Sequence, residues 1–372
     1  MMQKLFLLFV VALGLSSCID EIDFETDFER ILTINGKITN SWTHQPFVSI
    51  SYTGQSGDPD SAVVDASVRM LIDEVEMISF EHKGNGRYEP IEPLVGEPGR
   101  SYEIEVEQND QMYRSLPERL PSSVGRDSLG YAIVQEERIN DRGVQFSISV
   151  IDIRAQTDLP DQEVFIRWEI EESYTFTELI LPAFKFPFAS PKLCFITQPV
   201  TTSSIALFNN QNNTASLLPS RSLVSREIDE SFEEIHYFAV FQHSISPEAY
   251  QYWENINDVA FRDGSLFETP PAAVRGNFRN IQDNDDLVLG YFEAANVDTA
   301  SFFVTNEEIG FRVPEECGLI PAESFRDIQS MCIDCVREQL GVREACLDCL
   351  VLPNSSLERP PYFPPVETID DE

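Results

Sequence analysis

The sequence has few basic residues for its length, and this shortage limits what the protein can bind. The chain of 372 residues carries 26 Lys and Arg against 63 Asp and Glu, a formal net charge of -37 at pH 7. Nucleic acids are bound through cationic side chains that contact phosphates, so a chain of this charge is not expected to bind them. The acidity favours solubility, and it leaves open an attraction for cations or for a basic partner.

Long apolar runs are also missing, with one short exception at the N-terminus. The apolar run at 5–15 is shorter than the ~20 residues that a membrane-spanning helix needs. It follows Lys4 and ends in Leu-Ser-Ser-Cys, the order found in a signal peptide whose cleavage exposes a cysteine for acylation. We predict a lipoprotein signal peptide at 1–17, lipidation of Cys18 and an acidic tether at 18–30. The alternative is a plain secretory signal followed by an unrelated cysteine.

The remaining sequence predicts a mainly β fold that begins with an immunoglobulin-like β-sandwich at 31–121. About seven short segments with strand character follow one another there, separated by turn residues. Tyr102, Ile104 and Val106 alternate with polar residues. A Pro-Gly turn precedes Tyr102, as in the tyrosine corner of such sandwiches, where the ring hydroxyl bonds to upstream backbone.

A second, larger β-rich domain with one clear amphipathic helix is predicted at 122–315. Alternation of apolar and polar residues indicates half-buried strands, one of them with Val144, Phe146, Ile148 and Val150 on one face. The helix begins with Ser246 as N-cap and Pro247 at the first helical position. Its apolar stripe is expected in the core and consists of Tyr250, Trp253, Ile256, Asn257 and Ala260.

An inserted loop at 179–222 interrupts the strand pattern of the second domain. Its first part carries Phe184, Phe186 and Phe188 among prolines that do not fit a central strand. Long loops in compact domains often carry function, and exposed aromatic rings anchor interfaces. We therefore take the three phenylalanines as candidates for partner binding; the alternative is that they cover the edge of the second sheet.

A Cys-rich C-terminal segment is predicted at 316–372, and its cysteines allow two interpretations. Four thiolates in two Cys-x-x-Cys pairs suit a tetrahedral zinc ion. An exported chain with an even number of further cysteines favours disulfides, because its compartment is oxidising. We predict disulfides, with zinc as the minor alternative and no other cofactor. The symmetric spacing about Gly341 suggests the pairs 332–349 and 335–346, and the six candidates are Cys194, Cys317, Cys332, Cys335, Cys346 and Cys349.

The sequence contains no recognisable catalytic motif. The Gly-x-Ser-x-Gly, His-Glu-x-x-His and phosphate-binding glycine patterns are absent. His236 and His243 flank an apolar strand, but their odd separation predicts opposite faces and so no shared metal ion. The acidic run at 283–286 lacks the calcium-loop pattern and is interpreted as a solvated turn. We therefore predict neither an enzyme nor a metal site.

Several motifs occur in an order that resembles one protein family. They are the cysteine with its acidic tail at 18–23, Ser-Pro-Glu-Ala-Tyr-Gln-Tyr-Trp at 246–253, Gly-Ser-Leu-Phe at 264–267, Gly-Asn at 276–277 and Leu-Gly-Tyr-Phe at 289–292. The set resembles the Bacteroidota outer-membrane lipoproteins classified as a domain of unknown function, DUF4249, over nearly the whole mature chain. The family's tail, a Cys-x-x-Cys followed by a Pro-aromatic end, is matched loosely here, and the additional Cys332-x-x-Cys335 departs from it.

The resemblance implies an address and, by association, a role. Acidic residues directly after Cys18 resemble the surface-export signal of Bacteroidota lipoproteins, so we expect a lipid-anchored outer-membrane protein that faces the exterior. Family members are often encoded beside TonB-dependent receptors, which implies an accessory role in nutrient uptake, and the family brings no catalytic residues. The expected function is a binding or accessory module for such a receptor. A structural or adhesive surface protein and a surface hydrolase are the alternatives.

Overall fold

The computed structural model describes most of the chain. The described residues are 30–54, 60–179, 181, 191–201, 204–211, 217–260, 273–313, 317, 324 and 341–364. The predictions for Cys18, for Phe184, Phe186 and Phe188, and for Cys332 and Cys335 lie outside these residues. The mainly β fold predicted from the sequence is confirmed.

The first nine strands surround one core. They are β1 (Leu32–Thr39), β2 (Phe47–Tyr52), β3 (Ser61–Ala62), β4 (Ser67–Ile72), β5 (Glu76–Gly84), β6 (Arg87–Pro90), β7 (Ser101–Gln108), β8 (Gln111–Ser115) and β9 (Glu118–Arg119). β1 pairs with β2, and β4 pairs with β5 and β7, all antiparallel. The alternation predicted at Tyr102 is confirmed, because Tyr102, Ile104 and Val106 are all buried in this core. The Tyr102 hydroxyl also accepts a hydrogen bond from the upstream amide of Glu97 at 2.7 Å, as the tyrosine-corner prediction requires.

The second half contains a long-stranded sheet and a smaller sheet that packs on it. Its strands are β10 (Ser128–Ile139), β11 (Gln145–Asp158), β12 (Phe165–Thr177), β13 (Leu193–Pro199), β14 (Ala206–Asn209), β15 (Leu217–Glu227), β16 (Ile235–Ser244), β17 (Phe278–Asn280), β18 (Val288–Leu289), β19 (Phe292–Thr305) and β20 (Ser355–Ser356). β12, β16 and β19 run side by side, and β10, β11 and β15 form the smaller sheet. Asp127 joins the two, since it accepts hydrogen bonds from Trp168 Nε1 at 2.6 Å and from Thr157 and Gln242.

Strands from late in the sequence complete the N-terminal core. β1 runs parallel to β18 and to the first part of β19, and β17 pairs with β8. This close approach depends on Gly290, whose φ is +91° and whose Cβ, if it had one, would lie 2.1 Å from the carbonyl oxygen of Ile34. The two halves are thus joined through shared strands, and the predicted division at residue 121 stays a prediction.

Two α-helices and three 3₁₀ turns connect the strands among the described residues. Helix α1 (Pro247–Ala260) begins as predicted, because the Ser246 hydroxyl accepts the amide hydrogen bond of Ala249 at 3.0 Å. Tyr250 and Trp253 of its predicted stripe pack against buried residues. Ala260, at the end of the helix, is exposed. The remaining elements are α2 (Asn306–Ile309) and the turns Glu230–Phe232, Glu344–Cys346 and Cys349–Val351.

The inserted loop predicted at 179–222 contains more regular structure than the sequence indicated. β13, β14 and most of β15 fall within it. β13 and β14 are short and pair with β12, whereas β15 pairs with β11. Pairing of this kind is decided by distant partners rather than by local alternation, so periodicity does not reveal it.

The predicted disulfide pairing is wrong, although disulfides themselves are confirmed. Cys194 bonds to Cys349 and Cys317 bonds to Cys346, so neither Cys346 nor Cys349 is available for the nested pairs 335–346 and 332–349. The physical reason is that the C-terminal turns pack against β13, which carries the buried Cys194. The spacing about Gly341 gave no information on that neighbouring strand.

Candidate functional site

A cleft lies where the two halves of the molecule meet. Its volume is about 1060 Å³, and its walls come from the segment after β8, the start of α1, the start of β12 and the segment before β17. Leu116, Pro121, Phe165 and Tyr291 contribute apolar surface. A concave site of this size between two structural units is the usual place for a small ligand.

The rim of the cleft carries balanced charge although the chain is strongly acidic. Two arginines and two glutamates line it with exposed side chains, namely Arg119, Arg275, Glu163 and Glu248. The exposed amides of Gln162, Gln251 and Asn255 add neutral donors and acceptors. Such a rim suits a polar molecule without net charge better than it suits a cation or an anion.

Among the described residues that line the cleft, Glu118 is the buried carboxylate. Tyr291 donates a hydrogen bond from its hydroxyl to Glu118 Oε1, and Ser246 Oγ donates to Glu118 Oε2 at 2.8 Å. Asn277 Nδ2 lies 3.4 Å from Oε1. Burial raises the pKa of Glu118 to about 7, because the hydrogen bonds from Tyr291 and Ser246 only partly offset the loss of solvent.

The local fold holds the partners of Glu118 in place. Glu118 lies on β9 opposite Tyr102 of β7, and Ser246 also caps α1. The side-chain amide of Asn277 makes two hydrogen bonds to the backbone of Phe292. Its Oδ1 accepts from the Phe292 amide at 2.9 Å, and its Nδ2 donates to the Phe292 carbonyl at 2.8 Å. Both carboxylate oxygens of Glu118 are therefore engaged by residues that position the surrounding backbone.

A second group of charges lies beneath helix α1. Arg167 Nη2 donates to Glu293 Oε1 at 2.7 Å, and Trp253 Nε1 donates to the other oxygen at 2.6 Å. Lys37, from β1, reaches Glu169 at 3.0 Å. Burial acts to raise the pKa of Glu293, but the surrounding positive charges, with that of Arg167 the largest, together outweigh burial, and the pKa is lowered. This group joins β1 to the second half and leaves no carboxylate without a cation.

The two histidines on β16 lie on opposite faces, as predicted. His236 contacts Glu172, with Nε2 3.1 Å from Oε2. His243 contacts Glu169, with Nε2 3.0 Å from Oε2. Because Glu169 and Glu172 are three residues apart on one strand, they point to opposite faces. Within the described ranges no three His, Cys, Asp or Glu side chains come together as metal ligands.

The sequence did not reveal Glu118 as a site residue, because the residues around it were interpreted only as the end of the first predicted domain, at residue 121. A charged residue between Pro117 and Pro121 is expected in solvent rather than in a core. The local sequence therefore gave no signal for a buried carboxylate at this position. Of the predicted disulfide cysteines that the structure describes, Cys194, Cys317, Cys346 and Cys349, none lines the cleft.

The fold and the cleft define a mainly β protein that carries a ligand-sized site between two halves joined by shared strands. The chain belongs to the family described as Domain of unknown function (DUF4249), whose model matches residues 19–301. No curated protein matches the chain. Among the described residues, no helix has the length and apolar character needed to cross a bilayer.

Proposed function

We propose that the protein is a lipid-anchored surface module that binds a small polar ligand in the cleft and acts as an accessory to an outer-membrane receptor. The observation that carries this proposal is the cleft itself, built by both halves, with a rim that carries two charges of each sign. The lipid anchor is proposed from the signal sequence and Cys18. The link to a TonB-dependent nutrient receptor in Bacteroidota is proposed from the resemblance of the motifs.

Binding is favoured over hydrolysis by the surroundings of Glu118. A general acid needs to reach the substrate with its carboxyl group. Glu118 is buried, and both of its oxygens already accept hydrogen bonds from Tyr291 and Ser246. We therefore assign Glu118 to the support of the cleft wall.

The cleft is tested by blocking it. Asn255→Trp places a large ring in the cleft wall from the exposed face of α1, and Asp258→Trp places the same ring on the same helix outside the cleft. We expect one class among neutral sugars, zwitterionic amino acids and short peptides to raise the melting temperature of the wild type and of Asp258→Trp. The same compound should not stabilise Asn255→Trp. Equal stabilisation of both variants, or stabilisation of no protein by any class, would contradict the proposal.

The anchor is tested separately. Cys18→Ser should move the protein from the membrane fraction to the soluble fraction, as measured by fractionation and immunoblotting. A variant that stays in the membrane fraction and is processed at the same position would contradict lipidation without affecting the result for the cleft.

A further inference from the structure

The four charged residues of the rim are divided between the two sides of the cleft. Arg119 on β9 and Arg275 just before β17 belong to the N-terminal half, since β17 pairs with β8. Glu163 just before β12 and Glu248 in the first turn of α1 belong to the second half. A molecule in the cleft therefore has cations on one side, here called the cationic side, and anions on the other, the anionic side.

The two arginines of the cationic side flank the buried Glu118. Arg119 is the next residue on β9, and Arg275 lies two residues before Asn277, whose Nδ2 is 3.4 Å from Glu118 Oε1. Arg119 donates from Nε to the carbonyl of Gly99 at 3.0 Å. Arg275 is exposed, and its guanidinium makes no hydrogen bond or ion pair with any described residue. Arg275 is therefore the cation that is available to a ligand.

The two glutamates of the anionic side lie beside the start of α1. Glu248 follows two residues after Ser246, which donates to Glu118 Oε2 at 2.8 Å. Glu163 lies two residues before Phe165, whose carbonyl accepts the amide hydrogen bond of the residue before Ser246 at 3.0 Å. Both glutamates are exposed, and neither has a hydrogen bond or an ion pair within the part of the chain that the structure describes. This side is therefore also open to a ligand.

Glu118, between the two sides, is the remaining charged residue in the described lining of the cleft. Burial raises its pKa to about 7, so its carboxyl group is mostly protonated at about pH 6. Both of its oxygens already accept hydrogen bonds, from Tyr291 and from Ser246. The exposed charges that a ligand meets under these conditions are therefore two positive and two negative.

This arrangement selects a ligand that carries one charge of each sign. A neutral sugar that displaces water from the cleft leaves both sides without counter-charges, and removing water from an unpaired charge is costly. A simple cation or anion pairs with one side only and is repelled by the other. A zwitterion, by contrast, compensates both sides at once.

The size of the cleft selects among zwitterions. Its volume of about 1060 Å³ lies at the upper end of the range for small-ligand sites, well above what one amino acid fills. A free amino acid also carries both charges on one carbon, whereas the termini of an extended tripeptide are about 10 Å apart. Leu116, which is 42% exposed, and the neighbouring prolines offer apolar surface to uncharged side chains.

We infer that the cleft binds a short peptide with free termini and uncharged side chains, with its carboxylate against Arg275 and its ammonium group against Glu163 or Glu248. The inference rests on the proposed function, because it names the ligand class of the same cleft. The orientation follows from the charges of the two sides. Each terminus forms a charge-assisted hydrogen bond, so blocking either one should weaken binding by roughly tenfold or more.

The experiment offers the purified full chain, at about pH 6, a pool of random tripeptides made of uncharged residues. Peptides that stay with the protein in gel filtration are identified by mass spectrometry, and the best-retained sequence is synthesised for calorimetry. It is measured with free termini, with an acetylated N-terminus and with an amidated C-terminus. We expect the free form to bind, and each blocked form to bind roughly tenfold more weakly or less.

Variants of the protein assign each terminus to its side. Arg275→Gln should weaken the free peptide roughly tenfold and leave the affinity of the amidated peptide unchanged. The double variant Glu163→Gln/Glu248→Gln should do the same for the free and the acetylated peptide. Arg279→Gln on β17 and Asp258→Asn on α1 are the matched controls, since both residues are exposed and lie outside the cleft. Both controls should bind the free peptide as the wild type does.

Four results would overturn the inference. They are a pool from which no tripeptide is retained, equal binding of free and blocked peptides, variants that affect free and blocked peptides alike, and binding of leucine instead of tripeptides. Stabilisation by the neutral trisaccharide maltotriose of the wild type but not of Asn255→Trp would also overturn it, yet would leave the cleft as a ligand site. Stabilisation by no class of compound contradicts the proposed function itself, so the two failures are distinguishable. Melting temperatures without ligand should match the wild type for all these charge variants, because the replaced side chains have no described partners.

Discussion

Two buried carboxylates, Glu293 and Glu118, have pKa values shifted in opposite directions because their partners differ in charge. Glu293 lies against Arg167, whose positive charge, together with the other charges nearby, outweighs the effect of burial and lowers the carboxyl pKa. Glu118 has only neutral partners, chiefly the hydroxyls of Tyr291 and Ser246, so burial prevails and its pKa rises to about 7. Glu293 is therefore ionised at neutral pH, whereas Glu118 takes up a proton within the physiological range.

The raised pKa of Glu118 predicts a loss of stability as pH rises. A carboxyl whose pKa is higher in the folded state stabilises the fold below the ordinary value of 4.5, and this contribution is lost as pH rises through about 7. The shift corresponds to about 3 kcal/mol at most. Glu118→Gln keeps a neutral group in place, so we expect this variant to lose about 2.5 kcal/mol less than the wild type between about pH 5 and pH 8. Urea denaturation at both pH values measures the difference.

The control for this prediction is Glu248→Gln, in the same cleft. Glu248 is exposed, so its replacement should leave the pH dependence of the wild type unchanged. If Glu118→Gln and Glu248→Gln both follow the wild type, Glu118 is not the group that couples stability to pH.

At the scale of single elements, the C-terminal segment 341–364 packs against β13 of the large sheet and is covalently bonded to it. β20 pairs with β13, and Cys349 is bonded to Cys194 on that strand. Further along, Phe363 is buried against Phe195, and Tyr362 stacks on Tyr237 with centroids 4.3 Å apart. The family model ends at residue 301, yet the segment beyond it is an integral part of the packed structure.

The two disulfides should contribute unequally to stability. Cys194–Cys349 spans 155 residues and Cys317–Cys346 spans 29. Because a longer closed loop restricts the unfolded chain more, removing the first bond should cost about 1.5 kcal/mol more than removing the second. Alanine at both cysteines of each pair gives two matched variants, and guanidinium denaturation gives their free energies of unfolding. Equal losses, or a larger loss for Cys317–Cys346, would contradict the explanation by loop length.

Local patterns predicted those elements whose hydrogen bonds are local. The alternation at Tyr102 and the cap at Ser246 each depend on residues a few positions away, and both predictions are confirmed. Cys194 finds its partner 155 residues later, and β15 pairs with β11 across three intervening strands. Nothing in the neighbouring sequence specifies such partners.

The candidate site escaped prediction for the same reason. Glu118, Ser246 and Tyr291 meet in space from three distant parts of the chain. The alternation at Phe146 predicted the strand correctly but not its exposure, because exposure depends on whether another part of the fold packs against that face. Periodicity gives the face of a side chain, and only the tertiary fold decides what covers that face.

At the scale of the whole molecule, the two halves should unfold as one unit because they share strands. Gly290 allows β18 and β19 to lie against β1, and no other residue fits its φ of +91° and the 2.1 Å approach to Ile34. We expect Gly290→Ala to cost about 3 kcal/mol or more, through backbone strain and the clash with this carbonyl. Hydrogen exchange should record the same loss at Val106 in the N-terminal half and at Val240 in the second half.

Gly130→Ala is the matched control, because a Cβ at that position has no neighbour within 4 Å. It should leave the exchange of both amides unchanged. A loss confined to Val106 in Gly290→Ala would mean that the halves open independently despite their shared strands.

The parallel pairing of β1 with β19 has a mechanical consequence. If the chain is pulled at the start of β1 and at the end of β19, the two parallel strands are loaded in opposite directions along their axes. Hydrogen bonds between strands lie across the strand direction, so this load shears all rungs of the ladder together instead of opening them one after another. Force applied along this axis should therefore meet its greatest resistance at the ladder between the first strand of the fold and β19.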